Sequence, residues 1–345
     1  MHIYVHIPFC LKKCSYCDFT SITDISCLES YVQALLSEIE LWSTLYYNKQ
    51  VKTVFFGGGT PSILLPEQLA RILNQLRKCF QILPQAEISL EANPETLSLE
   101  KLSAYHSFGI NRLSLGVQSV QDQDLQYLGR VHSAAKATEA LGWATRVFTN
   151  VNVDLMMCLP GQTVKALRDT IEQIVAYSPQ HISCYELTFE ANTPLYAGRE
   201  AKTDDVELSM AATALLEAHG YAQYEISNYA VAGFQCAHNL AYWTDQPYLG
   251  LGVAAHSYDS TKRFSQGATI AEYNQGAFVY NFEAADSFDR IMMGLRLNAG
   301  VPVAWLPPEK TMTFEAQGLM QRTATRVFMT DSGRQQLNAV LRDLL

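Results

Sequence analysis

Six short β-rich runs, each followed by a helical pattern, leave this chain few folds to choose from. The runs are His2–Ile7, Lys52–Phe56, Glu87–Glu91, Arg112–Gly116, Asn150–Met157 and His181–Leu187. They read as strands set between turn residues. The intervening stretches keep the i, i+3/i+4 spacing of a helix with one buried face. Leu28, Tyr31, Val32, Leu35, Leu36, Ile39 and Trp42 form the first such face, and Leu69, Ile72, Leu73 and Leu76 the second. Leu167, Ile171, Ile174 and Val175 form another, as do Met210, Leu215 and Leu216. Strands alternating with helices imply an α/β fold of parallel strands joined by right-handed crossovers. An open six-strand barrel and a doubly wound sheet both satisfy this pattern. In either, a ligand lies at the C-terminal ends of the strands. The polar motifs fall there: Pro8–Cys17, Gly57–Pro61, Glu91–Glu95, Gln118, and Asp154 with Leu159–Gln162.

The rhythm changes near residue 220, which divides the chain into three expected parts. Residues 1–220 form the βα unit. Residues 221–285 form an irregular, aromatic-rich lid or extension. Residues 286–345 form a small module, with a helix around Phe288–Leu295, then Val327–Phe328, Thr330–Gly333 and a last helix to Leu345. With 48% hydrophobic and 17% charged residues, the 345-residue chain has the balance of a soluble globular protein with a sizeable core. A formal charge of −9 provides no basic field for nucleic acid or anionic lipid. The longest apolar runs are far shorter than a membrane span. No secretory signal or organelle presequence is expected.

Three of the eight cysteines cluster near the start and five are scattered, so no disulfide framework is indicated. Thiols that must stay reduced point to the cytoplasm. The clustered ones read Cys10-Leu-Lys-Lys-Cys14-Ser-Tyr-Cys17, a C-x3-C-x2-C spacing. Three thiolates on one tight loop can hold three irons of a [4Fe–4S] cube, leaving the fourth iron open. An open iron can chelate the amino and carboxylate groups of S-adenosylmethionine (SAM). Lys12 and Lys13 add positive charge favouring thiolates. The competing reading is structural zinc with His6 or Cys27 as fourth ligand, but zinc sites normally pair their cysteines twice over.

C-x3-C-x2-C with Tyr16 before the third cysteine resembles the radical SAM superfamily. That resemblance implies a partial (β/α)6 barrel and reductive cleavage of SAM to a 5′-deoxyadenosyl radical. The motifs Gly57-Gly-Gly-Thr-Pro61, Glu91-Ala-Asn-Pro-Glu95, Ser114-Leu-Gly-Val-Gln118, Leu128-Gly-Arg130 and Asn152-Val-Asp154 are similar to the coproporphyrinogen-dehydrogenase-like branch. By that similarity Tyr4, Gly58, Gly59, Thr60, Glu91, Gln118, Arg130 and Asp154 would contact SAM. Arg130 can pair with its carboxylate, and Glu91 suits a hydroxyl or cationic group.

The branch holds both dehydrogenases, which decarboxylate coproporphyrinogen III without oxygen, and HemW-type haem chaperones. The dehydrogenases typically carry a further cysteine where this chain has Phe19, and usually an N-terminal extension before the first strand. His238-Asn-Leu-Ala-Tyr242-Trp243 and Gly250-Leu-Gly-Val-Ala-Ala-His256-Ser257 resemble the chaperone group. The likeness runs from about residue 1 to 258. Met293-Gly-Leu-Arg296 is similar to the family's winged-helix-like C-terminal module, while 304–326 is shortened and diverged. The resemblance implies haem as cargo, a haem-accepting protein, an electron donor for the cluster, and room for transient contact with a membrane haemoprotein. Whether SAM is cleaved stays open, as does a radical reaction on another substrate. His238 is the candidate haem ligand, with Tyr242 and Trp243 covering the macrocycle; the alternative is a His that hydrogen-bonds the lid. Cys236, His132 and His256 are weaker candidates. Cys27, Cys79, Cys158 and Cys184 are expected to be small buried hydrophobes.

Overall fold

The computed structural model of the protein describes residues 1–46, 48–201 and 206–344. Its centre is a run of six parallel strands: β1 (His2–Ile7), β2 (Gln50–Gly58), β3 (Gln81–Ala92), β4 (Arg112–Gln118), β5 (Val151–Met157) and β6 (His181–Glu186). They pair in sequence order, each with the next. That order decides between the two architectures the sequence permits. A doubly wound sheet reverses its strand order at a switch point. An unbroken order with right-handed crossovers sends every helix to one side and curls the sheet around the other. The result is an open partial barrel. Its outer edges are taken by later strands, residues 248–251 against β1 and residues 228–230 against β6, so β1 and β6 do not close on each other.

The crossover helices are α1 (Leu28–Tyr46), α2 (Pro66–Cys79), α3 (Leu99–Ser107), the pair α4 (Asp122–Tyr127) and α5 (Ala134–Val147), and α6 (Val164–Val175). The apolar stripes lie where their spacing places them: Tyr31, Leu35, Ile39, Leu69, Ile72, Leu73, Leu76, Ile171 and Ile174 are fully buried. In α7 (Val206–Ala218) the buried face is Leu208, Ala212 and Leu216, whereas Met210 is 60% exposed. Met210 shares a sequence stripe with Leu216 only loosely, and the i, i+4, i+8 set wins.

The segment 221–285 is more regular than its sequence suggests. β7 (Ala222–Gln223) and β8 (Asn228–Ala230) run antiparallel on the β6 edge. After α8 (Ala237–Trp243), β9 (Tyr248–Leu251) lies parallel to β1, and β10 (His256–Tyr258), β11 (Lys262–Gln266) and β12 (Tyr280–Ala284) follow antiparallel, with α9 (Ile270–Asn274) between the last two. Strands of two to five residues joined by turns carry no βα period, which is why they escape a reading based on it.

The C-terminal part has its own core, built from residues such as Leu295, Val301, Phe314, Val327 and Leu341. It comprises α10 (Ser287–Leu295), β13 (Val301–Pro302), α11 (Pro308–Ala316), β14 (Met320–Arg322), β15 (Arg326–Met329), α12 (Asp331–Gln335) and α13 (Leu337–Leu344), with sheet order β13-β15-β14. Thr330 caps α12 by accepting from Gly333 N–H at 3.0 Å. The shortened span 304–326 supplies α11 and β14; Leu345 lies outside the described residues. This part is joined to the segment 221–285 by Arg296, which pairs with the fully buried Glu225 at 3.3 Å and lies 4.7 Å from the ring of Trp243.

Glu38 of α1 ties the barrel to its added edge. It is wholly buried and accepts from Gly252 N–H at 2.7 Å, Tyr273 OH at 2.6 Å and Tyr280 OH at 2.7 Å. Desolvation raises its pKa above the ordinary carboxylate value, against the lowering effect of these donors. Glu38→Ala orphans several buried donors at about 1–3 kcal/mol each and is expected to cost about 3–5 kcal/mol in all. Urea unfolding checks this: the midpoint falls sharply for Glu38→Ala and less for Glu38→Gln, which keeps one carbonyl acceptor.

Candidate cluster and cofactor site

β1 and β2 run in register from His2 opposite Thr53 to Ile7 opposite Gly58. The chain therefore leaves both strands side by side, and the cysteine loop emerges against the glycine turn. Gly59 N–H donates to Ile7 O at 2.9 Å. A Cβ on Gly59 would stand 2.7 Å from Phe9 O and 3.0 Å from Cys10 Sγ, so only glycine permits this approach. Gly58 has φ +114°, and a Cβ there would strike the His6 ring. The loop is tied down elsewhere by Cys10 N–H to Ile22 O at 2.9 Å and Ser15 N–H to Leu128 O at 3.0 Å.

Cys10 is buried and Cys14 and Cys17 are half-buried; all three thiols are free. Thr60 Oγ1 donates to Cys10 Sγ at 3.5 Å, and Arg130 Nη1 to Cys14 Sγ at 3.4 Å. Both contacts fix where the sulfurs sit. Burial pushes the Cys17 thiol up and the neighbouring thiols raise it further, while a backbone hydrogen bond at Phe19 and the charge of Lys13 act the other way. Among the described residues, no three His, Cys, Asp or Glu side chains are placed to hold one metal ion. Of the two candidate fourth zinc ligands, His6 uses Nδ1 with Tyr4 OH and Nε2 with Thr20 O, and the Cys27 thiol is turned to Asp24 O at 3.9 Å. Three thiols on one loop, each suited to a different iron, fit a cubane cluster better than a single tetrahedral ion.

The cysteines open on a cavity of about 670 Å³ at the C-terminal ends of the strands. Gly58, Gly59, Thr60, Glu91, Gln118, Arg130 and Asp154 all line it. Glu91 accepts from Gly58 N–H at 3.2 Å; desolvation, with Asp154 nearby, lifts its pKa to about 8. Asp154 is raised too, chiefly by desolvation, although Asn152 and Ser114 donate to it at 2.7 and 3.4 Å. Gln118 takes a positive φ of 68° and accepts from Tyr185 OH at 2.8 Å. Arg130 is held by Asn93 Oδ1 at 2.6 Å and Gly116 O at 2.8 Å, leaving Nε buried without a partner.

Tyr4 stands apart from this set. It lines a second cavity of about 490 Å³ that shares Asp18, Phe19, Gly58 and Glu91 with the first. His238 lies behind the wall. It is 1% exposed, and its nitrogens bond Thr53 Oγ1 at 2.6 Å and Tyr242 OH at 2.8 Å. The ring as placed has no lone pair to offer an iron. His132 is equally committed, to Glu95 at 3.0 Å and Val117 O at 3.2 Å. Cys236 is fully buried beside Glu87, and burial pushes it up to about 12. Of the scattered thiols, Cys158 and Cys184 are buried, but Cys27 and Cys79 are only half-buried.

Two site residues escape the sequence reading. Asn93 donates to Thr60 Oγ1 at 2.9 Å while accepting from Arg130, and so links the glycine turn to the arginine. Arg112 lines the larger cavity although 2% exposed, with Nε unpartnered, and lowers the pKa of both Glu91 and Asp154. Arg112 opens β4, every residue of which is buried, and nothing in the sequence around it marks that burial.

Comparison with known proteins identifies the family and the fold. Residues 4–174 match the radical SAM superfamily. Heme chaperone HemW of Haemophilus influenzae is 37% identical over 322 residues, covering 88% of this chain and 84% of that protein. Heme chaperone HemW of Mycobacterium tuberculosis is 37% identical over 370 residues, covering 99% and 94%. Among solved structures, coproporphyrinogen III oxidase (HemN) of Escherichia coli, a radical SAM enzyme, superposes with a TM-score of 0.82 at 24% identity, covering 99% of this chain and 88% of that one. At that identity the match speaks for the fold.

Two outcomes are expected. Cys14→Ala, reconstituted anaerobically, loses the brown chromophore and most of the iron and sulfide; full retention would refute its place as a ligand. Glu91 is mostly neutral below its pKa of about 8 and must lose its proton to face a cationic ligand. SAM affinity therefore rises with pH up to about 8 and levels off above it, with proton release seen by calorimetry in two buffers. Glu91→Gln flattens that profile and weakens binding roughly tenfold, the scale of one charge-assisted hydrogen bond.

Proposed function

As a member of the radical SAM superfamily and, within it, of the HemW family of haem chaperones, this protein, we propose, binds haem and passes it to a haem-accepting protein. One observation carries this reading: HemW chaperones are 33–37% identical to the chain over nearly its whole length. Cys10, Cys14 and Cys17 would hold a [4Fe–4S] cluster, and the strand-end residues would hold SAM. When bound, the cluster supplies an electron and an open iron for SAM. The chain's own contribution is placement. Thr60 and Arg130 orient and polarise two of the thiolates, Asn93 couples them, and Glu91 with Asp154 presents carboxylates whose charge depends on what occupies the cavity. We place Tyr4 at the far wall of the SAM site, because its ring packs against Phe55, which lines the larger cavity. An electron donor for the cluster is a further partner in this reading. No helix among the described residues is long and apolar enough to cross a membrane.

The alternative activity, oxidative decarboxylation of coproporphyrinogen III, is disfavoured by Phe19. It stands 66% exposed at the junction of the two cavities, where the dehydrogenases typically have a cysteine. Cluster-loaded protein should bind hemin one to one in an anaerobic titration. The same protein with SAM, reductant and the porphyrinogen should release no decarboxylated product. Absence of hemin binding would reject the carrier reading, and product formation would replace it with the enzyme.

A further inference from the structure

Of the residues assigned to SAM, only Tyr4, Gly58 and Glu91 reach the second cavity, and most of its lining is left without a role. Its walls are aromatic, with Tyr4, Tyr242, Trp243, Tyr248 and Tyr258, and its volume of about 490 Å³ lies in the usual range for small-molecule sites. One side is a sheet face. His256 and Tyr258 are two apart on β10 and so point the same way. Tyr258 pairs across the strands with Arg263 on β11 and Tyr248 on β9. Flat aromatic walls suit a planar ligand; among the described residues Arg263 is the one arginine lining the cavity, which the carboxylate residues Asp18, Glu91 and Asp245 also line.

The imidazoles around this cavity differ in availability. His6 and His238 spend both ring nitrogens on protein partners. His256 is exposed, lines the cavity, and has no hydrogen bond to its ring among the described residues. α10 contributes Met293 to the lining. The indole Nε1 of Trp243 is buried without a partner, and Arg263 is held in place by Asp289 at 2.7 Å and Tyr248 OH at 3.2 Å. Phe19 stands between this cavity and the cysteine loop, exposed as a cover for an occupant would be before it arrives.

We propose that this aromatic cavity is the haem site and that the imidazole of His256, not that of His238, binds the iron. The inference rests on the carrier reading above. Neutral imidazole is an ordinary haem ligand, and the coordination needs no redox step. A ligand at an exposed mouth also suits a carrier, because an acceptor's own ligand can reach the iron and replace it.

The test uses full-length, cluster-loaded protein titrated with hemin and followed by absorbance. The wild type should take up one hemin with the Soret band of a histidine-ligated haem. His256→Gly should shift that band and weaken binding at least tenfold, with iron and sulfide content of the cluster unchanged. Added imidazole should restore the wild-type band. A His256→Gly protein with the wild-type band and affinity overturns this assignment while leaving the carrier reading intact. Weakened binding that imidazole does not restore also overturns it, since His256 would then act through structure. If the wild type binds no hemin, the carrier reading fails and takes this assignment with it.

Discussion

The close approach of two loops at Gly59 governs the rest of the site. Parallel pairing of β1 with β2 ends both strands at the same height, so the cysteine loop and the glycine turn must share one small volume. A Cβ at Gly59 would meet backbone and a cluster thiol within 3.0 Å. From that contact the others follow. Thr60 reaches Cys10, Asn93 reaches Thr60, and Arg130 joins Asn93 to Cys14. A chain of short polar contacts thus runs over the tops of three strands and fixes the thiols relative to the cavity that would hold SAM.

The cavity's electrostatics are balanced for a cationic guest. Glu91 and Asp154 are both pushed toward neutrality by desolvation, and Arg112 opposes this from the floor. Glu91, lifted to about 8, can hold a proton beside Asp154. A ligand bearing an amino group and a sulfonium would draw that proton off and gain the full interaction. Glu91 therefore acts as a charge reserve rather than as a fixed anion.

Much of this was legible in the sequence, for reasons that differ by element. The six barrel strands and the helices between them announce themselves because each has a clear period and a turn at its end. The cysteine spacing speaks for itself, because three thiols on one loop admit few chemistries. What stayed hidden depends on contacts between distant segments. Short strands β7 to β12 have no period to read. Arg112 looks like an ordinary strand residue until its surroundings are known. His238 sits in a conspicuous motif, yet Thr53 and Tyr242 claim its ring, and no spacing reveals that. His256, in a plainer context, is the one left open to a ligand at the second cavity.

The two cavities meet at Asp18, Phe19, Gly58 and Glu91, so a cargo in one would lie beside a cofactor in the other. On this account the radical SAM scaffold serves as a holder whose cluster and cofactor frame a haem site, and its purpose is delivery. The most direct measurement is transfer: load the cluster-bound protein with one hemin, mix it with an apo-haemoprotein, and follow the acceptor's Soret band. Appearance of the acceptor's holo-spectrum, with equal loss from the donor and faster than from free hemin trapped by a passive binding protein, is the predicted result. Hemin that stays on the donor, or that reaches the acceptor no faster than from the passive protein, would contradict it.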